Sequence, residues 1–245
     1  MMTPIQPPVP SPKPPASSPR RLILASRSPR RRELLAEAGY QFEVKPPAED
    51  VECGVCSESG PAGLVAELAY RKAAAIIRQL QQQLPQPPTP SLQSPAPGPQ
   101  ASLIVLAADT VAECDGFILG KPRDEAEARA MLKQLSGREH RVLTGVCLWP
   151  LDLPLSLGEG RGEGTPLIRV AVTQLRMDPL TDGQLDEYLS TGGWEGKAGA
   201  FGYQDRLGWV HIVEGSESNV VGLPMELLAE MLAEVGASSE ERGGS

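Results

Sequence analysis

Apolar and polar positions repeat with two different periods along this chain, and the switches between them mark its elements. Residues 21–25 (RLILA) are an apolar run that predicts a buried strand. Ser28 then suits a helix N-cap and Pro29 the first helical position, so RRRELLAEA reads as a helix that stops at Gly39. Residues 41–44 predict a second strand. Pro61 opens a long helix through Gln83, with Leu64, Leu68, Ala75, Ile76 and Leu80 near helical spacing. Residues 103–107 (LIVLA) are a strong buried-strand signal. Residues 111–119 surround Asp115-Gly116, which reads as a hairpin. Asp124 with Glu127 has capping-box-like spacing, and the helix that follows carries Ala128, Met131, Leu132 and Leu135 to Gly137. Strands are predicted over 141–149, 167–177 and 208–213, and helices over 181–189 and 224–235. No internal repeat is visible. The mixture of helices, strands and hairpins predicts an α/β fold with a mixed sheet flanked by helices.

Composition changes this picture mainly through proline. Of 25 prolines in 245 residues, eight fall in 4–19, seven in 85–99 and three in 150–166. Proline lacks an N–H and fixes φ, so such runs suit neither helix nor central strand. They predict a disordered tail (1–20) and two surface insertions (85–100 and 150–166) on one domain (21–236), with a flexible C-terminal tail (237–245). Hydrophobic residues make up 40% of the chain, enough for a packed core.

The net charge of -8 argues against a nucleic-acid backbone as partner. No stretch approaches 18 consecutive apolar residues, so no membrane span is expected. The first residues, MMTPIQPPVPSPKPP, have no apolar h-region. Reduced-looking cysteines and the lack of a secretory signal point to a cytoplasmic protein.

Three constellations could carry chemistry. The first is Ser26-x-Ser28-Pro29-Arg30-Arg31 between strand and helix. Helix N-terminal N–H groups, two hydroxyls and the guanidinium groups would suit a polyphosphate, and they suit an ordinary capped helix with a solvated basic face equally well. The second is Asp109-Thr110 after an apolar strand, where a carboxylate can hold Mg²⁺, orient a water or simply cap a turn. The third is Lys72, Lys121 in Gly-Lys-Pro, and Lys197 in Gly-Lys-Ala-Gly. Each could face a triphosphate, and each alone reads as a solvated lysine.

Other features are lures. Cys53-x-x-Cys56 sits in an irregular loop without a second ligand pair. The glycine-rich 158–164 carries glutamates and leads into a strand. No P-loop and no nucleophile elbow is present. His140 and His211, beside strands, read as satisfied structural histidines.

In order, LILASRSPRRRELL, AADTV, GKPRDEAEARAMLKQLSGREHRVLTG, GGWEGKAGAFGYQ and SNVVGLPMELL resemble the Maf family of nucleoside triphosphate pyrophosphatases. Each motif is weak alone; five in order, from Leu22 to about Leu232, are specific. The resemblance implies a fold similar to inosine-triphosphate pyrophosphatases: an elongated mixed sheet in two lobes around a cleft. It implies hydrolysis of a nucleoside triphosphate to monophosphate and pyrophosphate, with a divalent cation, Mg²⁺ or Mn²⁺. Asp109 would be the proton acceptor and a metal ligand, and Ser26, Arg31, Lys72, Lys121 and Lys197 would contact phosphates or position carboxylates. Arg30, Thr110 and Gln204 would set base preference, as in the dTTP and UTP branch. A glutamine amide matches the O4/N3–H edge of uracil or thymine.

The family's second acidic metal contact maps to Glu49 of Glu49-Asp50, with Glu52 as rival. Water would attack the α-phosphorus directly, since no cysteine or histidine matches a nucleophile position. The alternatives are the same chemistry on 7-methyl-GTP or another non-standard nucleotide, and a nucleotide-binding regulator of septum formation. Relatives of this kind are often homodimers.

Overall fold

A computed structural model describes residues 21–48, 59–83, 102–152, 164–205 and 207–240. The tail 1–20, the insertion 85–100, Glu49, Asp50, Glu52 and the Cys53/Cys56 pair lie outside these residues. Along the chain run β1 (Arg21–Leu24), α1 (Pro29–Glu37), β2 (Phe42–Val44), α2 (Gly60–Gln83), β3 (Ser102–Cys114) and β4 (Phe117–Leu119). Then come α3 (Glu125–Leu135), β5 (Glu139–Asp152), β6 (Leu167–Met177), α4 (Asp182–Ser190), β7 (Val210–Glu214), α5 (Glu217–Val221) and α6 (Met225–Glu240).

The seven strands form one mixed sheet of order β2-β1-β3-β5-β6-β7, with β4 also paired to β3. β2, β1 and β3 are mutually parallel, and every other pairing is antiparallel. The expected mixed sheet with flanking helices is therefore what forms. The two parallel crossovers step in opposite directions across the sheet. Right-handed connections then put their helices on opposite faces. Leu35 of α1 joins α6 on one face of β1, β3 and β5, and Ala69, Ala73, Ile76 and Ile77 of α2 cover the other. This double cover explains why 21–25 and 103–107 read as unbroken apolar runs. A third core lies further along β3 and β5, where Ala112, Cys114, Val142, Leu175 and Met177 pack against α3 and α4. These cores make two lobes, and β3 and β5 run through both.

Several details differ from the sequence reading. Strand 103–107 and the first arm of the hairpin are one strand of 13 residues. Asp109 and Thr110 sit inside it, not at its end. The turn at Asp115-Gly116 holds, with φ of 53° and 84° as a tight hairpin requires. β5 runs through Pro150 to Asp152, into the stretch read as insertion. Proline is tolerated there because β6 pairs with β5 only as far as Leu148, so the edge facing β6 has ended. Ser28 is the N-cap of α1 by position, yet its side chain makes no capping bond. Instead the Ser26 hydroxyl accepts the Ser28 N–H at 3.2 Å. Asp124 caps α3 as read, accepting the Glu127 N–H at 2.8 Å. The buried stripe of α2 is Val65, Leu68, Ala69, Lys72, Ala73, Ile76 and Ile77, so Leu64 and Ala75 flank the core and a lysine lies within it. α6 continues to Glu240, beyond the expected stop at Val235. The short α5 was not expected at all. No described helix is long and apolar enough to cross a membrane.

One contact fixes the height of α2 above the sheet. A Cβ at Gly145 would lie 2.3 Å from the Val65 carbonyl oxygen. Only glycine lets the helix backbone sit this close to β5. Gly145 pairs with Asp109 across β3 and β5, and Lys72 stands two helical turns beyond Val65 on the same stripe. Gly145→Ala should force α2 outward and cost about 1–3 kcal/mol. At about 2–4 °C per kcal/mol for a chain of this size, thermal melting would read a drop of several degrees. An unchanged midpoint would show that α2 is not held this tightly.

Candidate active site

β3 is paired along its whole length to β5 on one edge, but not on the other. There β1 ends at Leu24 opposite Leu106, and β4 begins opposite Ala112. Between them, residues 107–111 have no strand beside them on that edge among the described residues. A cavity of about 370 Å³ opens at this gap. Asp109 lies at the centre of the gap and lines the cavity.

The cavity gathers most of the residues that the sequence singled out. Ser26, Arg30, Arg31, Lys72, Asp109, Thr110, Lys121 and Lys197 all line it. Gln204 belongs to the single turn Tyr203–Asp205, and its side chain lies outside the described part, as does all of Glu49. Pro47 and Ala48, which precede Glu49, line the cavity. With Arg27, six cationic residues surround Asp109, the one acidic residue among the described lining residues.

The side chains are held by specific bonds. Lys72 Nζ donates to Asp109 Oδ1 at 2.5 Å, and both residues are buried (4% and 8% exposed). Asp109 projects from the α2 face of β3, so the close approach at Gly145 is what brings these two charges together. Thr110 projects to the opposite face. Its hydroxyl accepts from Arg31 Nη2 at 3.0 Å and lies 3.0 Å from the Thr144 hydroxyl. Arg31 also donates through Nη1 to Ser26 Oγ at 3.3 Å and through Nε to the Gly222 carbonyl at 2.7 Å. It thus ties α1, β3 and the end of α5 into one unit. Thr144 donates to the Asn219 carbonyl at 3.2 Å. The Asn219 amide donates to the Val142 carbonyl at 3.1 Å, which docks α5 on the sheet.

Across the cavity, Lys197 Nζ reaches both carboxylate oxygens of Asp205, at 2.7 and 2.5 Å. Asp205 also accepts from the Tyr188 hydroxyl at 3.0 Å. Burial, with the Asp205 charge beside it, pushes the Tyr188 phenol far above its ordinary range and keeps it a donor. Arg30 donates to the Gly196 carbonyl at 2.9 Å, a contact between residues 166 apart that spans the two lobes. Burial lowers the pKa of its guanidinium, and Asp205 and Glu33 oppose that shift. Lys121 is exposed and makes no hydrogen bond or ion pair with the described residues.

Sequence reasoning missed Thr144, Asp205 and Asn219. Thr144 sits in RVLTG and Asn219 in SNVVGLP, and Asp205 directly follows GGWEGKAGAFGYQ, so the motifs held or bordered them without revealing what they touch. The reading of His140 as a satisfied histidine is corrected. It lines the cavity, and its enclosed Nδ1 has no hydrogen-bond partner. Burial pushes its pKa down, so the ring is neutral at pH 7. His211 does have a partner, with Nε2 2.9 Å from Asp178 Oδ2.

The arrangement is a cleft lined by cationic side chains with one described carboxylate held inside it. Oxygen donors are what Mg²⁺ or Mn²⁺ take, and the Asp109 carboxylate on the cavity wall fits such an ion.

Comparison with known proteins bears on this cleft directly. The sequence profile of the family described as Maf-like protein matches residues 21–235. A protein named dTTP/UTP pyrophosphatase from Rhodopirellula baltica is 46% identical over 225 residues, covering 91% of this chain and 86% of the relative. One of the same name from Symbiobacterium thermophilum is 41% identical over 218 residues, covering 89% of this chain and 95% of the relative. Among solved structures, a HAM1 protein from Coxiella burnetii aligns with 88% of this chain and 99% of its own, with a TM-score of 0.43 and 17% identity.

The Lys72–Asp109 pair has a thermodynamic signature. Lys72→Met leaves a buried carboxylate without its cation and should cost about 3–5 kcal/mol. Lys72→Met with Asp109→Asn removes both charges and should be more stable than the lysine variant alone. Urea denaturation of the four proteins gives the coupling, expected at about 1–3 kcal/mol. Strict additivity would mean that the pair contributes nothing as a pair.

Proposed function

The chain belongs to the family of Maf-like proteins, and from that premise we propose that its cleft binds dTTP or UTP and hydrolyses it to the monophosphate and pyrophosphate. One observation carries the reading. One cavity is lined by a buried carboxylate, six cationic residues and a set of apolar side chains. A nucleoside triphosphate has matching parts: a charged polyphosphate and a flat, largely apolar base. The names of the relatives, dTTP/UTP pyrophosphatase, support the reaction and the base class.

Asp109 accepts the proton of the water that attacks the α-phosphorus. Lys72, bonded to Oδ1, fixes the carboxylate and leaves Oδ2 for that water. Ser26, the first turn of α1, Lys121 and Lys197 face the phosphates and offset the charge that grows on departing pyrophosphate. Lys197 shares its charge with Asp205, so it acts as a positioned donor more than as a bare cation. Arg31 holds Ser26 and Thr110 in place while it faces the same cavity. Asp109, with Glu49 as the second acidic residue that the family resemblance implies, would hold the divalent cation. When bound, that ion would neutralise phosphate charge and make the phosphorus easier to attack. Arg30, Thr110 and Gln204 set the base preference.

The test is a nucleotide panel with Mg²⁺ or Mn²⁺, read separately for pyrophosphate and orthophosphate. dTTP and UTP should release pyrophosphate and monophosphate in equal amounts. Orthophosphate as the first product would overturn the reaction. Asp109→Asn should retain the folded circular-dichroism spectrum and lose about 10²- to 10⁴-fold in kcat. Unchanged turnover would remove Asp109 from its role.

A further inference from the structure

The cavity has five buried polar lining residues: Ser26, Arg31, Lys72, Asp109 and His140. Four stand at the cationic end. His140 stands alone at the other, in a wall made by Ala112, Val142, Leu175, Phe201 and Val210. The register explains the separation. Thr144 pairs with Thr110 beside the cationic end, and His140 lies four residues further along β5, on the same face. At about 3.4 Å per residue this is roughly 14 Å, of the order of the span from the phosphates of a nucleotide to its base.

Buried polar groups in folded proteins are normally bonded, and an exception needs a cause. His140 is 7% exposed, and its Nδ1 has no partner. Nδ1 is closed off from the cavity, and a backbone contact with Arg138 opposes the downward pKa shift that burial causes, so the ring nitrogen left to meet a ligand is Nε2. A core that needed only volume here would be served by leucine or phenylalanine without this cost.

We propose that the His140 imidazole is a base-contacting specificity residue, which hydrogen-bonds the imide edge of a uracil or thymine ring lying against the apolar wall. The inference deepens the reading of the cleft as a pyrimidine nucleotide site and rests on it. A neutral imidazole carries one donor and one acceptor. The imide edge alternates carbonyl acceptors with an N3–H donor, so one ring nitrogen finds a match on it. Cytosine offers an N3 lone pair and an amino group at these positions. A site built for the imide then leaves groups unpaired with cytosine, which is where discrimination arises.

The experiment measures binding, apart from turnover. In the full-length protein with Mg²⁺, calorimetry gives affinities for the non-hydrolysable α,β-methylene analogues of UTP, dTTP and CTP and for inorganic tripolyphosphate, before and after His140→Phe. His140→Phe keeps an aromatic ring and removes both nitrogens; His140→Asn keeps a polar edge. The expected result is tenfold or greater weakening toward UTP with phenylalanine and a smaller loss with asparagine. Tripolyphosphate should change less than threefold, and preference for UTP over CTP should collapse. In the otherwise unaltered enzyme, His140→Phe should raise KM for UTP by a similar factor while kcat changes less than threefold. Equal losses on all four ligands, or no loss on the UTP analogue, would overturn the His140 assignment while leaving the nucleotide reading intact. A parent protein that binds tripolyphosphate but neither the UTP nor the dTTP analogue would overturn both. Melting curves separate these outcomes from misfolding, since the asparagine variant should melt within a few degrees of the parent.

Discussion

The interruption on one edge of β3 is the constraint from which the site follows. An edge strand presents unpaired N–H and C=O groups, and a buried one must have them covered. β1 covers β3 as far as Leu106, and the Ala25 N–H adds one more bond to that carbonyl at 2.8 Å. β4 resumes the cover at Ala112. The chain leaves the intervening five residues without a strand and surrounds them with residues 26–31 and the end of α5. Those segments are loops and helix termini, which can carry hydroxyl, guanidinium and backbone donors toward one point. A longer β1, continuing past Leu24, would have completed the sheet and removed the cavity.

Alternation along β3 then divides the work. Asp109 and Thr110 are neighbours in sequence and project to opposite faces. Asp109 meets Lys72 from α2, while Thr110 meets Arg31 and Thr144. Helix packing on one side and a polar network on the other therefore fix adjacent residues independently. Gly145 serves the first arrangement by letting α2 approach, and Asn219 serves the second by fastening α5. The gap is where both faces open to the same cavity.

This also explains what the sequence disclosed and what it hid. Buried strands covered on both faces produce apolar runs, so β1 and the first half of β3 were legible. The Asp115-Gly116 turn and the Asp124 cap were legible because local chemistry decides them. Asp109 looked like a strand end because a charged residue inside a central strand has no local justification. Its justification is Lys72, 37 residues away, together with an open edge. Lys72 was equally opaque: a lysine on a helix reads as solvated, and its place in the buried stripe depends on that same carboxylate. Asp109 and the lysines read alone favoured bland roles, the Ser26–Arg31 segment stood even between two readings, and only the ordered motifs pointed to a set. His140 stands inside one of those motifs, GREHRVLTG, yet its role stayed hidden, since an unpartnered ring nitrogen is a property of packing, not of pattern.

The charge of the chain resolves into two scales. Its formal total is -8, yet its cleft holds six cationic residues around one described carboxylate. The acidic excess stands outside this lining, and exposed ion pairs such as Arg21–Glu43, Arg71–Glu67 and Arg169–Glu234 cancel and add nothing to it. At physiological ionic strength, exposed charges further apart than about 8 Å are largely screened from one another. A small anion that enters the cleft meets the lysines and arginines at short range, where low-dielectric walls strengthen their attraction. The negative total is a sum over the whole sequence and the positive lining is a local field, so the two do not conflict.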